Sequence, residues 1–260
     1  MGTFNADVKS LVGRGSKAFS SRGSLLSLWQ DIAEQFYVER AEFTSSKSMG
    51  SDFASHLYSS YPLVMRRELG NAFSSMLRPT NIEWFRVGVE DESKLGVADR
   101  QWLEMATTNM RKAMYNRRAN FVRATKEADN DFAAFGQAVI SHEIDWSRPG
   151  LLYRNHHLRD MAWEEGYDGA INSIYRRWKP TLRQLISRYG ESKMHPNLQR
   201  KEMMLDNKIP CMILTIENTD NQYKVRHPWV EVIVDEENQH EISYTGKWVS
   251  GLTIPRWQTV

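Results

Sequence analysis

The hydrophobic period of this chain changes partway along it, and that change limits the fold more than any other feature. Before Phe135 the apolar residues recur at the spacing of an amphipathic helix; after it they alternate, as in half-buried strands. Leu25, Leu28, Trp29, Ile32, Phe36 and Phe43 predict a helix from Leu25 to Phe43, with Ser24 as its N-cap. Thr44–Ser51 is a polar loop by composition. A second helix is predicted from Pro62 to Pro79, its buried face formed by Val64, Met65, Leu69, Ala72, Phe73 and Met76. Asn81–Val89 predicts a short strand, and a long helical region follows from Asp99 to Phe132. Its methionines are core filler.

Beyond Phe135, Gln137–Trp146 alternates Ala138, Ile140, His142, Ile144 and Trp146 on one face, a strand. Gly150–Trp163 predicts two more strands, and Ala170–Trp178 a fourth or a turn. Helices are predicted from Pro180 to Arg188, capped by Gly190, and from Pro196 to Met204. The last strands are Cys211–Glu217, Trp229–Val234, Glu241–Tyr244 and Leu252–Trp257, with a hairpin turn at Asp235–Asn238. The class is therefore α+β, N-terminal helices followed by mainly antiparallel sheet. Three regions are expected: a flexible Gly- and Ser-containing arm over 1–24, a helical region over 25–134 and a β-rich region over 135–260. Val260 falls near the edge of a strand, which predicts that the natural product continues past it.

Composition narrows the function classes. The chain has 260 residues, 41% hydrophobic and 25% charged, ordinary for a folded domain. No apolar run is long enough to span a membrane, and the N-terminus lacks a signal-peptide core. The single cysteine, Cys211, lies in an apolar run and reads as a small buried hydrophobe in a reducing compartment. There is no phosphate loop, since Gly13-Arg-Gly15 lacks the third glycine and the Lys-Ser/Thr ending. His142-Glu143 and His156-His157 are adjacent in strands and point to opposite faces, so neither is a ready chelate. Asp160, Glu164 and Glu165 beside Arg159 read as structural ion pairs. No metal, cofactor or catalytic constellation is expected, and the chain reads as a non-enzyme.

Charge is unevenly spread although the net charge is only +2. Met110–Lys126 holds Arg111, Lys112, Arg117, Arg118, Arg123 and Lys126 and no acid. Tyr175–Lys201 is also basic, whereas Thr215–Thr245 is acidic. The stretch 110–126 is either a solvated helix face or a contact for phosphate backbones. Tyr115 and Phe121 interleave there, but Phe121 reads as core. A basic middle and an acidic end would also supply the two unlike patches of a head-to-tail subunit interface.

Three stretches, in order, resemble the portal, or head-to-tail connecting, proteins of short-tailed phages, in their N-terminal part. The first is Trp29-Gln-Asp-Ile-Ala-Glu-Gln-Phe-Tyr-Val-Glu-Arg-Ala-Glu-Phe-Thr44, similar to a family pattern W-x-x-I-A-E-x-F-x-P-x-R-A-x-F; Val38 stands at the proline. The second is Ser59–Pro79 followed by Trp84-Phe85, and the third is His157–Trp163, Gly169 and Trp178–Leu185. The resemblance implies one subunit of a dodecameric ring at the portal vertex of the virion, assembled in the bacterial host cytoplasm. Double-stranded DNA would pass through that ring non-specifically during packaging and ejection. The implied partners are further copies of the chain, the large terminase, tail adaptors and capsid or scaffold proteins. The chain would be the wing, with the family's stem, clip and crown largely absent. The alternative is a free-standing, non-specific nucleic-acid-binding protein, whose cue is the two basic runs.

Overall fold

The computed structural model describes residues 7–46, 48, 50, 57–79, 82–144, 150–199, 205–219 and 223–257. The architecture is α+β as expected, with six α-helices and two antiparallel sheets among those residues. The chain divides into two compact units, Met1–Leu28 with His157–Gly251, and Trp29–His156 with Leu252–Val260. That division cuts across the expected 25–134 and 135–260 regions.

The first unit is built on a five-stranded meander. Its strands are β3 (Met161–Glu165), β4 (Ile171–Trp178), β5 (Cys211–Glu217), β6 (Trp229–Asp235) and β7 (His240–Lys247), hydrogen-bonded in that order. Period-two alternation sends Met212, Leu214 and Ile216 to one face and Cys211 and Ile213 to the other. Helix α1 (Val8–Ser20) covers the first face with Leu11, Val12, Ala18 and Phe19. Helix α6 (Leu182–Tyr189) covers the second with Leu182 and Leu185, both fully buried. A sheet buried on both sides explains the unbroken apolar run at Cys211. Cys211 is 1% exposed, and burial, with Asp235 and Glu236 nearby, pushes its thiol up to about 12. The Asp235–Asn238 hairpin turn forms as expected, the Asp235 carboxylate accepting from the Glu237 and Asn238 amides.

Where a flexible arm is expected over 1–24, Val8–Ser20 is helix α1 and is packed on the sheet. Its glycines and serines lower helix propensity, yet Leu11, Val12, Ala18 and Phe19 form one stripe that the sheet buries. Asp7 caps the helix through a 3.1 Å bond from the Lys9 amide. Gly15 is needed for close approach, because a Cβ there would collide with Met212 and Tyr175.

The second unit is mainly helical. Helix α2 (Gly23–Phe36) enters it at Trp29, then come α3 (Tyr61–Leu77), α4 (Val97–Met114) and α5 (Phe121–Phe135). A small sheet of β2 (Leu151–Asn155), β1 (Ile140–Ile144) and β8 (Leu252–Thr253) completes it. Helix α2 stops at Phe36, short of the expected Phe43, and a 3₁₀ turn at Val38–Arg40 folds the chain back. Gln30 locks that reversal. Its side-chain oxygen accepts from the Phe43 amide at 2.7 Å and its amide donates to the Ala41 carbonyl at 3.2 Å. The rings of Trp29, Phe43 and Phe135 then meet at 5.1 to 6.1 Å.

Two further expectations in this unit are corrected. Residues 82–89 join no ladder, and the Val87 amide donates to Thr107 Oγ1 of α4 rather than to a strand. Helix α3 forms with Pro62 in its first turn, but only part of its expected face packs: Met65, Ala72 and Phe73 are half-buried. The buried residues are Arg66 and Gly70; Val64, Leu69 and Met76 are exposed. Gly70 lies against Asn130 of α5, and Phe73 meets Phe132 edge-on at 5.6 Å. Trp146 and most of the predicted helix over 196–204 fall outside the described residues, and 254–257 are not strand. No helix among the described residues is long and apolar enough to cross a membrane.

Candidate polyanion and subunit interface

The basic stretch 110–126 is a helix–turn–helix corner whose shape follows from three local choices. Asn116 caps a 3₁₀ turn at Arg117–Ala119, its side-chain oxygen accepting from the Arg118 amide at 3.0 Å. Ala119 is buried and pins the turn from below. Asn120 takes a left-handed backbone with φ 60°, a conformation Asn tolerates, and redirects the chain into α5. Its side chain donates to the Tyr153 carbonyl at 3.2 Å, which holds the corner on β2. Arg117 and Arg118 are thereby displayed to solvent on a rigid turn.

A cleft of about 540 Å³ opens at this corner, lined in part by Arg117, Arg123 and Lys126 together with Tyr37, Tyr115 and Phe121. Phe121 is core, as expected: it is 7% exposed and meets Tyr153 at 5.0 Å and Tyr115 at 5.2 Å. Tyr115 is half-exposed, and its hydroxyl accepts from Trp84 Nε1 at 3.0 Å. The ring faces are thus occupied by neighbouring rings.

The six basic residues do not act alike. Arg111 is withdrawn, paired with Glu83 at 3.1 Å and donating to the Ile82 carbonyl. Arg123 bonds Glu127 at 2.8 Å, one turn along α5. Lys112, Arg117, Arg118 and Lys126 are exposed with no ion pair among the described residues. The cleft collects Arg117, Arg123 and Lys126, and leaves Arg111, Lys112 and Arg118 outside its lining.

The second basic run and the acidic run both lie in the first unit, joined by one ion pair between them, and each also pairs with residues outside the two runs. Arg177 approaches Glu236 at 3.9 Å and lies over the Phe19 ring at 4.2 Å. Arg183 pairs with Asp206 at 3.3 Å, and Lys247 with Glu231 at 2.5 Å. Asp235 is buried inside its own turn. Asp160 pairs with Arg159, and Glu164 accepts from Arg14 and the Tyr175 hydroxyl, as structural partners. His156 is buried against Ser141, and His157 Nδ1 accepts from the Arg159 amide. No cluster of metal-ligating side chains occurs among the described residues.

One set of residues was not foreseen from sequence, a buried polar network on α5. Arg40 makes a two-point contact with Asp131 at 3.1 and 3.0 Å, and Asn155 donates to the same carboxylate at 2.6 Å. Arg66 donates to Asn130 and to the Phe36 carbonyl, with its guanidinium 3.8 Å from the Tyr37 ring centre. Arg78 pairs with Asp129. Burial raises the Asp131 carboxyl to about 6, against the opposing pull of Arg40. The network fastens the turn after α2, helix α3 and strand β2 to α5. The only hint in sequence was Arg40 within the first of the three stretches quoted above.

A family model described as bacteriophage head to tail connecting protein matches residues 8–260. No curated protein matches the chain.

Proposed function

Because the chain belongs to the bacteriophage head-to-tail connecting protein family, which makes it a component of the virion, we propose that it is a subunit of the portal ring. The observation that carries this reading is the span of the family match, residues 8–260, which takes in both units. In this reading about twelve copies close head to tail around a channel. Double-stranded DNA enters through it during packaging and leaves during ejection. The large terminase and the tail adaptors dock on it in turn, after assembly in the host cytoplasm. The type is that of the short-tailed phages, with this chain as the wing.

The three stretches that resemble the family support the reading, because they are used to build the fold. Trp29, Ala41 and Phe43 are core, Arg66 and Gly70 seat α3 on α5, and Thr181 with Gln184 caps α6. We assign no hydrolytic activity to the chain, since Asp160 and Glu164 are committed to arginine and tyrosine partners. The exposed Lys112, Arg117, Arg118 and Lys126 are assigned to contact with DNA phosphates or a neighbouring subunit, through charge rather than base readout.

The test is negative-stain electron microscopy of the product of the complete natural reading frame. Rings of about twelve-fold symmetry with a central hole are expected. Discrete monomers that bind duplex DNA tightly at low salt would overturn the ring and point to the free-standing binding protein. Within rings, Arg117→Glu with Arg118→Glu is expected to weaken assembly or DNA retention; unchanged rings and unchanged DNA content would remove these residues from the interface.

A further inference from the structure

The turn between β3 and β4 is a fixed point that leaves a large side chain in solvent. From Glu164 it reads Glu-Glu-Gly-Tyr-Asp-Gly-Ala170. The Gly166 amide donates to the Ala170 carbonyl at 2.7 Å, and the Gly169 amide donates to the Gly166 carbonyl at 3.0 Å. The Asp168 carboxylate accepts from the Ala170 amide at 3.0 Å. Gly169 takes φ 76°, a left-handed value that glycine reaches without strain. Backbone, glycine and aspartate thus build the turn, and Tyr167 at its tip is fully exposed. Glu164 is held by Arg14. Glu165 and Asp168 are exposed acids on either side of the tyrosine, and no basic residue occurs from Glu164 to Ala170.

The cleft at the Asn116–Asn120 corner has the complementary character. Its volume of about 540 Å³ lies within the roughly 300–1,000 Å³ of ligand sites, room for one large side chain and the backbone beside it. Val122, 55% exposed, and Tyr115, 38% exposed, give it an apolar wall. Arg117, Arg123 and Lys126 bring three positive charges against one acid, Glu127. We propose that the Tyr167 tip of one copy enters this cleft on the next copy, with its ring against Val122 and Tyr115 and its two acids facing Arg117 and Lys126. This inference rests on the ring reading above, and it assigns the exposed cations of the cleft to a neighbouring subunit rather than to DNA. Charge complementarity selects a second copy as the occupant: the tip carries two exposed acids and no base, and the cleft has two cations in excess of its acid. An aromatic ring between carboxylates matches an apolar wall with a cationic rim, whereas a DNA phosphate would use only the rim. Tip and cleft belong to different units and are therefore unlike surfaces, as a head-to-tail interface requires. Both are already fixed in shape, the corner by the Asn116 cap and the Asn120 bond to Tyr153, so little ordering opposes docking.

The test is cross-linking with a short bis-maleimide in the full-length product, using Tyr167→Cys and Val122→Cys. The native Cys211 is buried and stays silent. An equimolar mixture of the two single variants is expected to give a cross-linked dimer that neither gives alone, and the double variant a ladder of higher oligomers. A double variant that cross-links only within single chains would overturn the proposal. Rings in the microscope with no cross-link from the mixture would overturn it too, while leaving the ring itself standing. Absence of rings from the unmodified product would sink the function reading, and this contact with it. In parallel, Tyr167→Ala is expected to raise the concentration for half-assembly about 30-fold, as loss of an interface anchor does, with the monomer's far-UV circular dichroism melt unchanged. Lys126→Glu is expected to weaken assembly as well, and Glu165→Lys added to it to restore part of the loss. Normal assembly of Lys126→Glu with reduced DNA retention would give the cleft to DNA phosphates and overturn the contact.

Discussion

The two units bury their apolar residues in opposite ways. In the first, β5 and β6 are covered on both faces, by α1 on one and α6 on the other, and Met212, Leu214, Val232 and Val234 are essentially inaccessible. In the second, the centre of α5 is buried but the outer sides of α3 and α4 are not. A sheet has two apolar faces and needs two partners, and the first unit supplies both from its own chain. A helix packed on one side leaves its other side to solvent, and on α4 that side carries Trp102 and Met105. The first unit covers both faces of its central strands from its own chain, whereas in the second Trp102, Met105 and Met76 stand mostly exposed on their helices.

The largest expected effects come from breaking the polar centre of the second unit. Arg40→Ala leaves Asp131 buried beside Asn155 without its cation, and is expected to cost about 3–5 kcal/mol in urea unfolding. A loss below about 1 kcal/mol would show the pair to be solvated. The apolar counterpart in the first unit is Leu214→Ala. Leu214 is fully buried in the sheet, and about 2–5 kcal/mol is expected from lost contacts and the cavity left behind.

The same carboxylate gives the second unit a distinctive pH response. The folded-state value for Asp131 is raised above the unfolded one, so the folded state holds the proton more tightly. The stabilisation from this group is complete below about pH 4 and is lost as pH rises through about 6, a change of about 3 kcal/mol. Subtracting the stability–pH curve of Asp131→Asn from that of the unmodified protein should isolate it. A flat difference between pH 4 and 7 would contradict the burial argument.

Overpacking tests the close approach of α1. Gly15→Val forces a side chain against Met212 and Tyr175 and is expected to cost about 1–3 kcal/mol. The smallest effect is the most informative for the comparison between units. Trp102→Ala should change monomer stability by less than about 0.5 kcal/mol, because the ring is mostly in solvent. A core-sized loss would mean that Trp102 is packed within its own chain.

Much of the fold was legible along the chain. The switch of period near Phe135, the strands at 211–217 and 229–235, the turn at Asp235 and the burial of Cys211 all depend on near neighbours in sequence. Less of the candidate site was legible. Of the six basic residues, sequence treated Arg111 and Arg117 alike, although one is paired with Glu83 and the other is displayed on a turn. Of the acidic run, Glu236, Glu231 and Asp235 are taken up by Arg177, Lys247 and the Asp235 turn. Charge counts carry no information about which opposite charge lies across a strand pair.

What the amino-acid order determined by itself was the type of each element, because helix and strand periods are written in spacings of two to four residues. It also determined that most long apolar stripes would be hidden. The tertiary structure decided what would hide them. Leu69 and Met76 share an apolar side of α3 whichever way the helix is turned, but α5 meets α3 through Arg66 and Gly70, where a small residue and a buried arginine allow close contact. Likewise, the α1 stripe was present in a segment that composition marked as an arm, and it became core only because a sheet formed more than a hundred residues later bound it. Periodicity reports the orientation of a side chain within its own element. The partner that covers it is chosen by long-range packing, and the cost of leaving apolar surface in water then falls wherever no partner is within the chain.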